Sequence, residues 1–105
     1  MEISMKPLTL IATLTAKPGH GDALGDALLA IVAPSRAEPG CIDYDVHRSL
    51  AERETWIVYE NWRSKAALEE HFATPHFLNF ADQLKTLAAE PPTLQEMEMM
   101  SEKAH

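Results

Sequence analysis

The chain is poor in cysteine, with Cys41 alone among 105 residues. One thiol cannot form an internal disulfide, and it falls short of the several thiolates that a cysteine-rich zinc or iron–sulfur site needs. Basic residues are also scarce: 9 Lys and Arg face 16 Asp and Glu, for a formal charge of −7. With no basic cluster, nucleic acid and anionic lipid are excluded as partners, because both are held chiefly by Lys and Arg neutralising phosphate. Long apolar runs are missing as well, and no stretch approaches the ~18 residues of a membrane span. The opening Met1-Glu2-Ile3-Ser4-Met5-Lys6-Pro7 has neither the positive leader nor the apolar core of a secretion signal, so a cytoplasmic location is expected.

What is present is the composition of one globular domain, 46% hydrophobic and 24% charged, which predicts a single unit over 1–105 with an ordered core at about 7–101. At this size folding buries roughly two-thirds of the unfolded chain's surface, enough for a core without metal or disulfide support. Leu8 to Ala16 alternates, with Leu8, Leu10, Ala12, Leu14 and Ala16 on one face, and predicts a strand. After the break at Lys17-Pro18-Gly19-His20-Gly21, Asp22 is positioned to cap a helix whose Leu24, Ala27, Leu28, Ile31 and Val32 form one stripe. Pro34 ends or kinks that helix, and Glu38-Pro39-Gly40 reads as a turn. Cys41–Ser49 and Thr55–Trp62 then form a hairpin. Ser64 caps a short helix with Leu68, His71 and Phe72, and Thr74-Pro75 starts another with Phe77, Phe80, Ala81, Leu84 and Leu87. Pro91-Pro92 stops it, and Thr93 to Met100 predicts a fourth strand.

Strand, helix, strand, strand, helices, strand is the ferredoxin-like α+β pattern, an antiparallel sheet with its helices on one face. In the third strand large apolar groups occur on both faces, so both faces are expected to be covered. A homodimer packing sheet on sheet would cover Ile57, Tyr59 and the closing methionines.

Gly19-His20-Gly21-Asp22-Ala23-Leu24-Gly25 mimics a dinucleotide fingerprint, but a chain that runs from this helix straight into a hairpin lacks the parallel crossover sheet such a site requires. His71 and His76 flank the break between two helices, and their i, i+5 spacing does not make a metal pair without a further group such as His47 or Glu60. His76 fits a polar group in the first turn of its helix. His71 lies on an apolar stripe, either as a hydrogen-bonded core histidine or facing a ligand. Glu60 shares a face with Trp56, Val58 and Trp62, where a carboxylate is either desolvated with a raised pKa or neutralised by a cation. Trp62, Phe72 and Phe77 cluster as core packing or as walls for a planar ligand.

Four segments then stand in order: Lys17-Pro18-Gly19, Glu38-Pro39-Gly40-Cys41, Tyr59-Glu60-Asn61-Trp62 and His71-Phe72-Ala73-Thr74-Pro75-His76. In these the chain resembles the antibiotic biosynthesis monooxygenase family, and within it the quinol monooxygenase-like branch. The resemblance implies a dimeric α+β barrel of ferredoxin-like subunits. Members that oxidise tricyclic polyketides contact substrate through an Asn and a Trp on the third strand and a Tyr on the next helix; those places hold Val58, Trp62 and Leu68 here. Haem-degrading members use an Asn, a Trp and an axial His where this chain has Ile11, His71 and Ala81, so the axial ligand is missing.

The implied activity is therefore cofactor-independent oxidation of a small quinol or phenolic aromatic by molecular oxygen, with no metal. His71 and Glu60 are the expected catalytic residues, with His71 as base. Trp62, Tyr44, Phe72, His76 and Phe77 are the expected substrate contacts, His76 being a reserve base. The second reading is an isomerase or related metabolic enzyme, because relatives sharing the Thr-Pro-His corner act on small phosphorylated signalling sugars; such a substrate would need a cationic anchor at Lys17, Arg36 or Arg63. A non-catalytic dimer that binds a small ligand is the third possibility.

Overall fold

The computed structural model describes residues 6–102. Its elements are β1 (Leu8–Thr15), α1 (Gly21–Ala30), α2 (Val32–Arg36), β2 (Cys41–Arg48), β3 (Thr55–Trp62), α3 (Lys65–Phe72), α4 (Pro75–Leu87) and β4 (Thr93–Met97). The strands form one antiparallel sheet in the order β2-β3-β1-β4, with the helices on one face, the ferredoxin-like α+β arrangement expected from the sequence. Alternation in β1 sends Leu10, Ala12, Leu14 and Ala16 to the helix side, where all are buried, and the register sets Val58 beside Ala12 and Trp56 beside Leu14. Leu24, Ala27 and Leu28 of α1 and Phe80 of α4 complete that core. Each fully buried Leu or Phe contributes about 1.5–3 kcal/mol.

The start of α1 differs from expectation. Its N-cap is His20, with no side-chain cap, and Asp22 lies in the first turn, paired with Arg48 at 2.8 Å. The reason is Glu54, whose carboxylate accepts from the backbone N–H groups of Gly19 at 2.6 Å and Gly21 at 3.1 Å. An anion from the chain itself satisfies these donors, so the glycine-rich turn is a structural joint. Gly19 has φ +82°, which a side chain would strain, and a Cβ on Gly25 would lie 2.2 Å from the Trp56 ring. The glycine spacing that mimics a nucleotide loop is thus explained by one turn and one close helix–strand approach.

The helix breaks at Ile31, and Pro34 falls in the first turn of α2, where a missing N–H costs no intrahelical bond. Ser64 and Thr74 cap α3 and α4 as expected, accepting from the N–H groups of Ala67 and Phe77, with Pro75 in the first turn. The fourth strand ends at Met97, short of Met100; it is an exposed edge whose pairing with β1 stops at Thr9. On the other face of the sheet Asn61 donates to Asp43 and to the Tyr59 hydroxyl, both at 2.9 Å. Ile11, Ile57 and Tyr59 beside it are half-exposed, so a single chain covers only one face of β3.

Candidate active site

Small side chains at the centre of the sheet and a helix that stands off from it leave a cavity of about 600 Å³. Ala12 and Val58 form part of its floor, while Phe77, Phe80 and Leu84 of α4 form part of its roof. The lining is almost wholly apolar. Tyr44 and Glu60 are its buried polar groups, and Lys85 and Glu90 are exposed lining residues.

The strand register places Glu60 there. It lies between Leu10 on β1 and Tyr44 on β2, and alternation points it to the helix side with Val58 and Trp62. Only 4% of it is exposed, and its Oε1 accepts a hydrogen bond from Trp62 Nε1 at 2.9 Å. Burial, opposed by that bond and reinforced by the charge of Glu38, raises its pKa from 4.5 to about 7. The alternative of a cation pair is not realised, since none of the chain's salt bridges among the described residues includes Glu60. Tyr44 is pushed well above its ordinary range by burial and then by Glu60, so its phenol stays protonated. Burial is also the first cause that raises Cys41 to about 11.

A second polar cluster lies behind this wall. Glu38, in the turn before β2, brings Oε2 within 2.7 Å of His71 Nδ1 and 2.8 Å of His76 Nε2. An ionised carboxylate only accepts, so both imidazoles donate to the same oxygen. His71 is 1% exposed and sits in an aromatic cage, with ring centroids 4.6 Å from Trp62, 5.1 Å from Phe77 and 5.5 Å from Tyr44. Burial lowers its pKa in spite of Glu38, which favours the neutral imidazole. The donor atoms of Glu38, His71 and His76 all lie within 4.8 Å of one another, the set among the described residues that could hold a metal ion. At 2.7 and 2.8 Å the contacts are hydrogen bonds, and a cation would have to replace both protons and spread the donors. The third group beside the two histidines is Glu38; His47 is exposed and Glu60 belongs to the cavity.

Of the residues singled out in the sequence, Tyr44, Glu60, Phe72 and Phe77 line the cavity, whereas Trp62, His71 and His76 do not. Trp62 is fully buried and meets the cavity through its bond to Glu60. Glu38 was missed, since an acid before Pro-Gly is accounted for by the turn alone. So was Phe80 as a lining residue; its place on the α4 stripe next to Phe77 is the signal that could have found it.

The sequence profile described as antibiotic biosynthesis monooxygenase matches residues 7–83. "Putative monooxygenase Rv0793" of Mycobacterium tuberculosis is 38% identical over 85 residues, covering 81% of this chain and 83% of that protein. "Probable quinol monooxygenase YgiN" of Escherichia coli is 31% identical over 88 residues, covering 74% of this chain and 85% of that one. The chain also matches an uncharacterized protein of Synechocystis, sll1783, at 32% identity, spanning 60% of its length. The crystal structure of PA3566 from Pseudomonas aeruginosa superposes with a TM-score of 0.87 at 42% identity, over 96% of this chain and 100% of that one.

Proposed function

Because this chain belongs to the antibiotic biosynthesis monooxygenase family, we propose that it is a cofactor-independent monooxygenase that oxidises a small quinol or phenolic aromatic with molecular oxygen. The observation that carries this reading is Glu60, a carboxyl raised to about 7 on the wall of an apolar cavity, with a neutral indole as its donor. Ground-state dioxygen reacts slowly with closed-shell molecules, whereas a quinol that has lost a phenolic proton can pass an electron to it. A phenol titrates at ~10, so a base near neutrality in a dry site is better matched to it than an ordinary carboxylate.

Glu60 takes the phenolic proton, and the Tyr44 hydroxyl is suited to donate to the developing anion. One electron passes to dioxygen, and the radical pair closes to a ring hydroperoxide. Glu60 returns its proton to the peroxide, and loss of water, which takes the hydrogen of the peroxide-bearing ring carbon, leaves a hydroxyquinone: one oxygen atom enters the ring, and the other departs as water. Two of oxygen's four electrons come from quinol becoming quinone and two from a ring C–H becoming C–OH. His71, whose Nδ1 is engaged by Glu38, is assigned a positioning role behind Tyr44 and Phe77. His76 anchors the same carboxylate nearer solvent.

The similarity to the Escherichia coli probable quinol monooxygenase supports the substrate class. A phosphorylated sugar fits less well, since Lys17, Arg36 and Arg63 do not line the cavity and the guanidinium of Arg36 already binds Asp45 at 2.9 Å. The functional unit we propose is a homodimer formed through the helix-free face of the sheet, where Ile11, Ile57 and Tyr59 are half-exposed and Met97 is 38% exposed. Sedimentation of the purified chain tests this, and a monomer at micromolar concentration would contradict it.

The test of function is oxygen uptake with a panel of quinols, corrected for spontaneous oxidation. Uptake that is protein-dependent, saturable, insensitive to chelator and lost in Glu60→Gln is expected. No excess over buffer from folded protein would remove the catalytic reading and leave a small-ligand binder.

A further inference from the structure

The cavity is longer than a small quinol. Its floor on β1 runs from Leu10 to Leu14, about 13 Å at the rise of an extended strand. Its roof runs from Phe77 to Ala88, about 16 Å at the rise of a helix. The register fixes the direction: Leu10 lies opposite Glu60, whereas Ala88 bridges Ala16, and Ala89 N–H donates to Thr15 C=O at 2.8 Å.

The two ends differ in chemistry. Glu60, Tyr44, Phe72 and Phe77 gather at the Leu10 end, where Phe72 and Phe77 meet ring to ring at 4.9 Å. The other end is aliphatic, built from Leu14, Leu84, Ala88 and Pro91, with Leu94 on the way. Its lining charges, Lys85 and Glu90, are exposed to solvent. Flat aromatic walls suit a ring, and leucine and proline walls suit a flexible chain.

We propose that the ligand is amphipathic: a phenol or quinol ring held at Glu60 and Tyr44, carrying a flexible apolar chain that runs past Leu94 and Leu84 toward Pro91. This rests on the reading of the Glu60 end as the reacting end. A bare one- or two-ring quinol leaves the aliphatic half empty, and a rigid fused system would meet leucines where it needs rings.

The experiment is equilibrium binding of 2-alkyl-1,4-naphthoquinones, from methyl to dodecyl, followed by quenching of tryptophan fluorescence. These oxidised forms do not react with oxygen, so binding is read apart from turnover. Kd should tighten about threefold to fourfold per methylene until the trough is full. That slope should collapse in Leu84→Trp and in Leu94→Trp, the latter on the exposed edge strand where folding is little perturbed. A Kd independent of chain length, or a slope that survives both substitutions, overturns the proposal. So does a three-ring quinone that binds as tightly as the long-chain homologues and loses affinity in the same variants. A chain-length slope without oxygen uptake would refute the oxygenation reading and uphold this one; uptake with no slope would do the reverse.

Discussion

Two carboxylates in this molecule, Glu38 half-buried and Glu60 buried, have opposite surroundings. Glu38 receives two imidazole donors on one oxygen, from His71 and His76, behind the cavity wall. Glu60 receives one indole donor and faces an apolar cavity that holds space for a ligand. On the proposed reading, the difference separates a structural acid from a reactive one. A carboxylate that accepts from two fixed donors on one oxygen organises its neighbours. One that is desolvated with little compensation exchanges its proton near neutrality, where acid–base chemistry operates.

The largest effect expected from this contrast is on turnover. Glu60→Gln keeps a carbonyl oxygen for Trp62 and removes the proton acceptor, so kcat should fall at least about 100-fold with a smaller change in KM. The rise of wild-type activity with pH through about 7, where Glu60 ionises, should vanish with it. An equal loss in His71→Asn, with Glu60→Gln active, would reverse the roles of the two clusters. Next in size is His71→Ala, which empties volume inside the aromatic cage and leaves Glu38 with one donor. It should cost about 3–4 kcal/mol in urea unfolding.

The third effect is on stability against pH. Glu60 keeps its proton in the fold up to about 7, while the unfolded chain releases it at 4.5. Over that window the unfolded state binds fewer protons, so wild-type stability falls as pH rises, by about 3 kcal/mol in all. Glu60→Gln should escape this, matching wild type at pH 4 and exceeding it at pH 8 in thermal unfolding. His71 works in the opposite sense: its pKa is lowered, so the stability it contributes is lost as pH falls below the ordinary 6.5. The smallest effect is His76→Ala, about 1 kcal/mol, because His76 is partly exposed and Glu38 keeps its bond to His71.

The strands, the hairpin and the caps of α3 and α4 were legible in the sequence because each rests on local chemistry: alternation in β3, hydroxyls at Ser64 and Thr74, and proline after the latter. The start of α1 was not, since the anion that satisfies Gly19 and Gly21 is Glu54, brought from the far end of the hairpin. In the site, Glu60 was legible as a carboxylate on an apolar face, and its two possible states were separated only by what surrounds it in three dimensions. His71 was legible as inward-facing, but a helical stripe does not say whether a side chain reaches a cavity or stops one layer behind it. Glu38 lies 33 residues from His71 in sequence, and no periodicity links them. The cavity itself is a volume that side chains leave unfilled, hinted at by Ala12 and Ala81 on apolar faces.

The most direct test is the titration of the Glu60 side-chain carboxyl, followed by carbon-13 chemical shift and assigned by comparison with Glu60→Gln. The expected midpoint is near 7. A midpoint at the ordinary 4.5 would mean that the cavity does not desolvate this group, and the assignment of Glu60 as proton acceptor would be wrong.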